Sequence, residues 1–358
     1  MARPDKLIIS SIAAAIAACA VTFPYHDPTK PHRAAEAFRN NYPHAEKGSF
    51  WRWKWEQLRR RLPANPEDGY RFAQATPQLA VSPAVTWVGH ATVLLRVSGR
   101  SVLTDPQFSE RASPVSFAGP RRVVPPVPAL SELPHIDVVV ISHNHYDHLD
   151  EDSVRRLAEQ PGGSPRFYVP LGLEEWFARR GIHNVVEMDW WESASFAGLT
   201  IDFVPVQHWS KRTLTDTNQS LWGAWVIRHP ELSFFFAGDS GYSKDFADIG
   251  AKFGGFDVAA IPIGAYAPRW FMQIMHLDPA EAIRVHRDVK ARRSIAIHWG
   301  TFANLTDESL YEPPLKLAEE RQKAGLSERD FVVLRHGETL AIEKQVERTF
   351  RTTAVAAE

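Results

Sequence analysis

The amino-acid sequence predicts a layered α/β fold, and three observations carry that expectation. Apolar stretches of strand length, enriched in Val, Ile and Phe and bounded by Gly, Pro or charge, recur from Val85 to Leu334. Patterns of helical period separate some of them, at Glu151–Glu159, Leu173–Arg180, Pro279–Val289 and Pro314–Ala324. No Gly/Ser linker or internal repeat breaks residues 84–342, which read as one domain around one core. At 358 residues, 44% hydrophobic and 23% charged, the chain can bury such a core, and its composition excludes disorder and collagen. A net charge of -1 removes the broad basic field with which nucleic-acid binders neutralise phosphates. The single cysteine, Cys19, excludes an internal disulfide framework and a thiolate metal site.

The N-terminal element is a segment apart. Arg3 and Lys6 precede an apolar run from Leu7 to Val21 that is short for a membrane span, which needs about 20 residues. Within it, Ile16-Ala17-Ala18-Cys19 resembles the bacterial lipobox, in which the cysteine becomes the lipidated first residue. That reading expects a membrane-associated protein of the bacterial cell envelope, held through a lipidated Cys19 or the signal segment. Ordinary signal cleavage near Ala20, an uncleaved anchor and a plain helix are the other readings. Residues 1–23 stand outside the fold in each.

Residues 24–83 read as an N-terminal extension rich in Pro, Asn and charge, and residues 343–358 as a C-terminal tail. The clearest element of the extension is "FWRWKWEQLRRRL", Phe50 to Leu62. On a helix, Trp51, Trp55, Leu58 and Leu62 form one apolar stripe, with Arg52, Lys54, Arg59, Arg60 and Arg61 mostly beside it. Such a helix suits a lipid headgroup layer. It equally suits docking of the tryptophans on the domain with the arginines in water, and both readings stand.

Within the domain the strands are expected at Val85–Val88, Val93–Val97, Val102–Thr104, Asp137–Ser142, Phe167–Val169, Leu199–Val206, Trp222–Ile227, Leu232–Ala237, Val258–Pro262, Ser294–Ile297 and Phe331–Leu334. The helix at Pro279 opens with Asp278 as cap, Pro279 in its first turn and Glu281 at capping-box spacing. The residues just past the strands carry the chemistry. After Asp137–Ser142 come His143, His145, Asp147 and His148; after Leu199–Val206 comes His208; after Leu232–Ala237 comes Asp239; after Ser294–Ile297 comes His298. Four strands thus end in a metal-type ligand, at the edge where layered α/β proteins gather functional groups.

His143 and His145 share one side of an extended segment, while Asp147 and His148 come after a turn and can face a second ion. Imidazole and carboxylate without thiolate suit zinc or a comparable divalent ion in a hydrolytic site. Two ions about 3.5–4 Å apart need a bridging group, and Asp239 is the spare carboxylate. The expectation is two Zn²⁺ per chain. His26, His32, His44, His135, His183, His229, His286 and His336 stand alone and read as ordinary core or surface groups.

"SHNHYDHL" resembles the H-x-H-x-D-H signature of the metallo-β-lactamase fold, and "GHAT" at Gly89–Thr92 with "TDP" at Thr104–Pro106 resembles its lactonase-like and phospholipase-like branch. More specifically, "QHWS" from Gln207, "FAGDSGY" from Phe236, "HLDPAEAIRVHRDV" from His276 and "AIHWGTF" from Ala296 resemble the N-acyl-phosphatidylethanolamine-hydrolysing phospholipase D family. The resemblance implies an αββα sandwich with a binuclear zinc site along one edge. Carried over by residue, His143, His145 and His208 would hold one zinc and Asp147, His148 and His298 the other, with Asp239 bridging. His276, Asp147 and Asp239 would be the catalytic residues, with His276 beside the scissile phosphodiester. His90 and Asp105 would organise ligands from behind. Tyr242 and Gln273 are weaker candidates for the pocket lining.

The implied function is a zinc phosphodiesterase of the phospholipase D type, acting on N-acyl-phosphatidylethanolamine or a related phospholipid. Its expected partners are that phospholipid or another phosphodiester, a membrane surface and, as one assembly it allows, a second copy of the chain, but no nucleic acid. A lactonase or other carboxyl-ester hydrolase could use the same ions. A nuclease of the same fold would need a basic channel, and a non-enzymatic binding module would be expected to lack ligands.

Overall fold

The computed structural model describes residues 23–46, 48–59 and 74–343. The lipobox-like segment with Cys19, the end of the Trp-rich helix with Arg60, Arg61 and Leu62, and the C-terminal tail lie outside them. Among the described residues no helix is long and apolar enough to cross a membrane.

Strands β1 (Ala84–Gly89), β2 (Thr92–Val97) and β3 (Arg100–Thr104) form an antiparallel meander. β4 (Arg121–Arg122) stands outside it, and β5 (Val138–Val140), β6 (Arg166–Pro170) and β7 (Val185–Met188) extend it in parallel. A second meander runs through β8 (Ser193–Phe196), β9 (Leu199–Val204), β10 (Ala224–His229) and β11 (Leu232–Phe236). β12 (Val258–Pro262) and β13 (Ser294–Ile297) continue it in parallel, β14 (Phe302–Ala303) pairs with β4, and β15 (Phe331–Val332) closes the edge. β16 (Thr339–Ala341) returns to pair with β1. The two seven-stranded sheets thus have the orders β16-β1-β2-β3-β5-β6-β7 and β15-β13-β12-β11-β10-β9-β8.

Strand periodicity explains the layers. Val138 and Val140 join the core shared with Trp225 and Phe203 of the opposite sheet, whereas Val139 and Ile141 pack with Val154, Leu157 and Phe177 of the helices Glu151–Ala158 and Glu174–Ala178. Helices Asp245–Phe253, Pro279–Asp288 and Glu312–Ala324 pack side by side, with Pro279–Asp288 against β12. The capping box of that helix is present, Asp278 accepting from the Glu281 N–H at 2.9 Å. This is the αββα sandwich that the sequence led us to expect.

β7, β8, β16 and the helices Asp245–Phe253 and Arg269–Met272 are additions to the sequence reading. The three strands are short, and the strands they pair with, not their own periodicity, decide them. The Trp-rich helix α1 (Phe50–Arg59) is present, but its stripe faces the other way from a docked helix. Trp51, Trp55 and Leu58 are 79%, 56% and 81% exposed, and Trp53, off the stripe, is the buried residue. Trp53 stacks on Phe271 at 5.1 Å and donates to Asp307 at 3.1 Å, which turns that side of the helix inward.

Residues 23–46 lie as a strap on the domain. Phe23 and Phe38 enter the main core, and buried Asp189 accepts from Lys30 and His32 at 2.6 Å each.

Candidate active site

Both sheets deliver polar side chains to one edge. From the first come His90 in the β1–β2 turn, Asp105 after β3 and His143 to His148 after β5; from the second come His208, Asp239 and His298 beyond β9, β11 and β13. His90, Asp105 and His298 have left-handed backbones, with φ of 53°, 33° and 60°. Such conformations are uncommon away from glycine and gather at functional sites. Gly238, with φ 60°, lets the Asp239 loop lie against the motif, since a Cβ there would sit 2.7 Å from Ser142 Cβ.

The rings are fixed from behind. Ser142 directs its hydroxyl hydrogen to Asp105 at 2.5 Å, so it accepts from His143 Nδ1 at 2.9 Å, which assigns the His143 Nε2 lone pair to the front. His148 Nδ1 donates to Asp105 at 2.6 Å and His208 Nδ1 to the Met275 carbonyl at 2.9 Å, so their Nε2 atoms also point forward. Asp105 thus touches His148 and Ser142 from the rear, as an organiser would. His90 Nε2 lies 3.1 Å from Asp147 Oδ2, close enough to belong to the front group by distance.

Two groups of ligand atoms result. His143 Nε2 and His208 Nε2 stand 2.8 and 3.4 Å from His145 Nδ1. Asp147 Oδ2 stands 3.5 Å from His148 Nε2 and 3.4 Å from His298 Nε2, which are 3.2 Å apart. Asp239 lies between the groups: its Oδ2 is 3.0 Å from His148 Nε2 and 4.0 Å from His208 Nε2, and its Oδ1 is 3.1 Å from His298 Nε2.

The electrostatics identify what such a cluster accepts. Burial drives the imidazoles of His145, His208 and His276 down to about 3 and His143 well below its ordinary range, so all four are neutral. Burial opposes charge on His148 and His298 too, but the carboxylates of Asp239 and Asp147 outweigh it, holding His298 at about 9 and His148 well above its ordinary range. The same contacts overcome burial to keep Asp147 and Asp239 ionised. The buried carboxylates of Asp147 and Asp239 thus recruit positive charge, here protons on His148 and His298, and divalent cations in place of those protons would leave every imidazole neutral with a lone pair to offer.

Above the cluster is a cleft of about 270 Å³, bordered by Phe50 and Trp53 of α1, by Trp209, Met272 and Met275, and by His276. His276 Nδ1 is 3.7 Å from Asp239 Oδ2, buried and without a hydrogen-bond partner. Tyr242 turns its hydroxyl to Asp288, and Gln273 is exposed. Sequence reasoning missed Phe50, Trp53 and the methionines of the cleft. The stripe of Trp51, Trp55 and Leu58 gave no signal for them, since it lies on another side of the helix.

Comparison with known proteins gives the cluster a context. A family model described as "Beta-lactamase superfamily domain" matches residues 100–299. The N-acyl-phosphatidylethanolamine-hydrolyzing phospholipase D 1 of Caenorhabditis elegans is 45% identical over 264 residues, covering 71% of this chain and 74% of that protein. The mitochondrial enzyme of the same name from Saccharomyces cerevisiae is 36% identical, over 68% of this chain and 53% of its own. Among solved structures, an isothiocyanate hydrolase from Delia radicum gut bacteria superposes with a TM-score of 0.57 at 22% identity, covering 72% of this chain and 99% of that one. At that identity the likeness shows the fold.

Proposed function

Since the chain belongs to the β-lactamase superfamily, in which it is a metal-dependent hydrolase homologous to N-acyl-phosphatidylethanolamine-hydrolysing phospholipases D, we propose that it is a zinc phosphodiesterase of the phospholipase D type. Its substrate is N-acyl-phosphatidylethanolamine or a related phospholipid, cleaved to phosphatidic acid and an N-acylethanolamine-type alcohol. One observation carries this reading: two ligand groups, with Asp239 between them, open onto a cleft walled by aromatic and methionine side chains, so the charged centre and the apolar arms of a lipid phosphodiester each meet a matching surface.

His143, His145 and His208 would hold one ion and Asp147, His148 and His298 the other, with Asp239 placed to serve both. A bound divalent pair supplies a hydroxide at neutral pH and offsets negative charge on phosphoryl oxygens. Ser142, Asp105 and the Met275 carbonyl keep the three rings aimed while the charge at the centre changes. His276, on the cleft wall, donates a hydrogen bond to the phosphoryl or leaving oxygen while the oxygen of a water bonds to phosphorus, the P–O bond to the alcohol breaks, and the leaving oxygen takes the proton that this water gives up. α1 lines the cleft with Phe50 and Trp53 while Trp51, Trp55 and Leu58 project outward, which suits docking at the headgroup layer. Residues 1–22, with Cys19, would add a tether, the fold beginning at Phe23 and not beyond it.

The test is metal analysis and a substrate panel on one preparation. We expect two zinc ions per chain and release of phosphatidic acid from N-acyl-phosphatidylethanolamine vesicles. Faster turnover of a lactone than of any phosphodiester would replace the reading with a carboxyl-ester hydrolase.

A further inference from the structure

We propose that Asn40, in the N-terminal strap, is a positioning residue of the metal centre that acts through the peptide of His208. β9 ends at Val204, and beyond it the His208 peptide takes its partners from one side chain. The His208 N–H donates to Asn40 Oδ1 and Asn40 Nδ2 donates to the His208 carbonyl, both at 3.0 Å. The same amide is used at its other two positions. Oδ1 also accepts from Trp222 Nε1 at 3.1 Å, and Nδ2 also meets His44 Nε2 at 3.0 Å, the acceptor nitrogen of a ring whose Nδ1 donates to the Ala45 carbonyl. All four hydrogen-bonding positions of Asn40 are thus filled, and a flipped amide would set donor against donor.

The clamp reaches the site in one step. His208 is held at its backbone by Asn40 and at Nδ1 by the Met275 carbonyl, which together set the direction of Nε2, 3.4 Å from His145 Nδ1. A carboxamide suits this place because a peptide presents one donor and one acceptor. Aspartate has the same size and no donor; alanine has neither. The adjacent strap residue provides a control, since Asn41 donates at 2.9 Å to Asp245, on the helix after the Asp239 loop, and touches no ligand residue in this way. The inference rests on the metal reading of the cluster and is independent of the lipid.

The experiment uses the full chain with zinc as probe, comparing Asn40→Ala, Asn40→Asp and Asn41→Ala with the wild type. Zinc affinity is measured by chelator competition, and thermal midpoints are measured without metal and after loading. Loss of groups that orient ligands typically weakens metal binding about 10–100-fold. We expect that loss for one of two zinc equivalents in both Asn40 variants, with a smaller zinc-induced rise in midpoint, and near-wild-type values for Asn41→Ala. Wild-type zinc binding in either folded Asn40 variant overturns the proposal, and so does an equal loss in Asn41→Ala, which would mean that the strap as a whole had loosened. If Asn40→Ala fails to fold, Asn40→Asp decides. A wild type that binds no zinc would instead remove the metal reading on which the clamp depends.

Discussion

The floor of the cleft and the wall that α1 raises beside it are held by different forces. On the floor, each ring is fixed by a polar partner behind it: His143 by Ser142, His148 by Asp105, His208 by the Met275 carbonyl. His143, His148, His208, Asp239 and His298 are almost fully buried. Of α1, Trp53 alone is buried, stacked on Phe271 with Phe50 edge-on beside it, and its helical neighbours carry large apolar groups into solvent. A rigid polar floor limits what can react, since small displacements of oriented groups carry large costs in rate. An aromatic wall with spare surface would, on the lipid reading, limit where reaction can occur, because exposed apolar groups side by side mark a docking surface. Substitutions on the floor should therefore affect every substrate, and substitutions on the wall only those presented in a bilayer.

The floor should give the largest effect. Asp239 is the carboxylate that meets both ligand groups, so Asp239→Asn should lower turnover of lipid and soluble diester alike by orders of magnitude with much of the fold intact. Chelation should do the same, with recovery on adding zinc. Near-normal turnover in Asp239→Asn, with circular dichroism unchanged, would take the bridge away from this residue.

Next comes His276, where floor and wall meet. Loss of a proton donor or an oxyanion partner costs about 10²–10⁴-fold. His276→Ala should therefore reduce turnover by about that much on both substrates while zinc content stays at the wild-type value. A fall in zinc content instead would make His276 a ligand, consistent with its 3.7 Å approach to Asp239.

The wall should separate the two substrates. Trp51 and Trp55 are mostly exposed, so replacing both by Ser leaves the helix packing through Trp53 untouched. Vesicle hydrolysis should drop on the order of tenfold and soluble-diester hydrolysis stay within about twofold, as expected for residues that act by interfacial anchoring. Equal loss on both would return α1 to a packing role, and unchanged vesicle activity would place docking elsewhere.

Floor and wall were also unequally legible in the sequence. His143, His145, Asp147 and His148 lie within one short motif, and His208, Asp239 and His298 each come after an apolar strand, so strand pattern plus ligand chemistry assembled the floor from distant parts of the chain. The sandwich emerged from the same strands. The wall obeys no such local rule. The stripe of Trp51, Trp55 and Leu58 has the stronger period, yet Trp53 turns inward because Phe271 and Asp307, more than two hundred positions away, offer a ring face and an acceptor. Asn40 is harder still: an asparagine in a Pro- and Asn-rich stretch gives no sign that it will meet the His208 peptide. Short edge elements such as β16 are decided by the strand they pair with, here β1.

The smallest expected effect concerns how the strap that borders both regions is fastened. Asp189 is buried, which by itself would raise its pKa, but hydrogen bonds from His32 and then Lys30 outweigh burial and bring it to about 2. Arg33 is a further cation at 3.7 Å, and Glu192 accepts from the Asp189 backbone N–H at 2.9 Å. A carboxylate whose folded pKa lies below its ordinary value contributes stability that is complete above the ordinary value and lost as pH falls through the folded one. The contribution of Asp189 is therefore present at pH 6, declines below about pH 4 and is gone near pH 2. Lys30 is partly exposed, so screening keeps the effect modest. Asp189→Asn should lower the thermal midpoint by about 1–3 °C at pH 6, with the gap to the wild type closing as pH falls toward 2. Because the fastening lies away from the ligands, the gap should be the same with and without zinc. A gap that persists at low pH would mean that the carboxylate's shape, not its charge, holds the strap. A gap that widens on zinc loading would mean that the Asp189 fastening, like the Asn40 clamp, bears on the ligands.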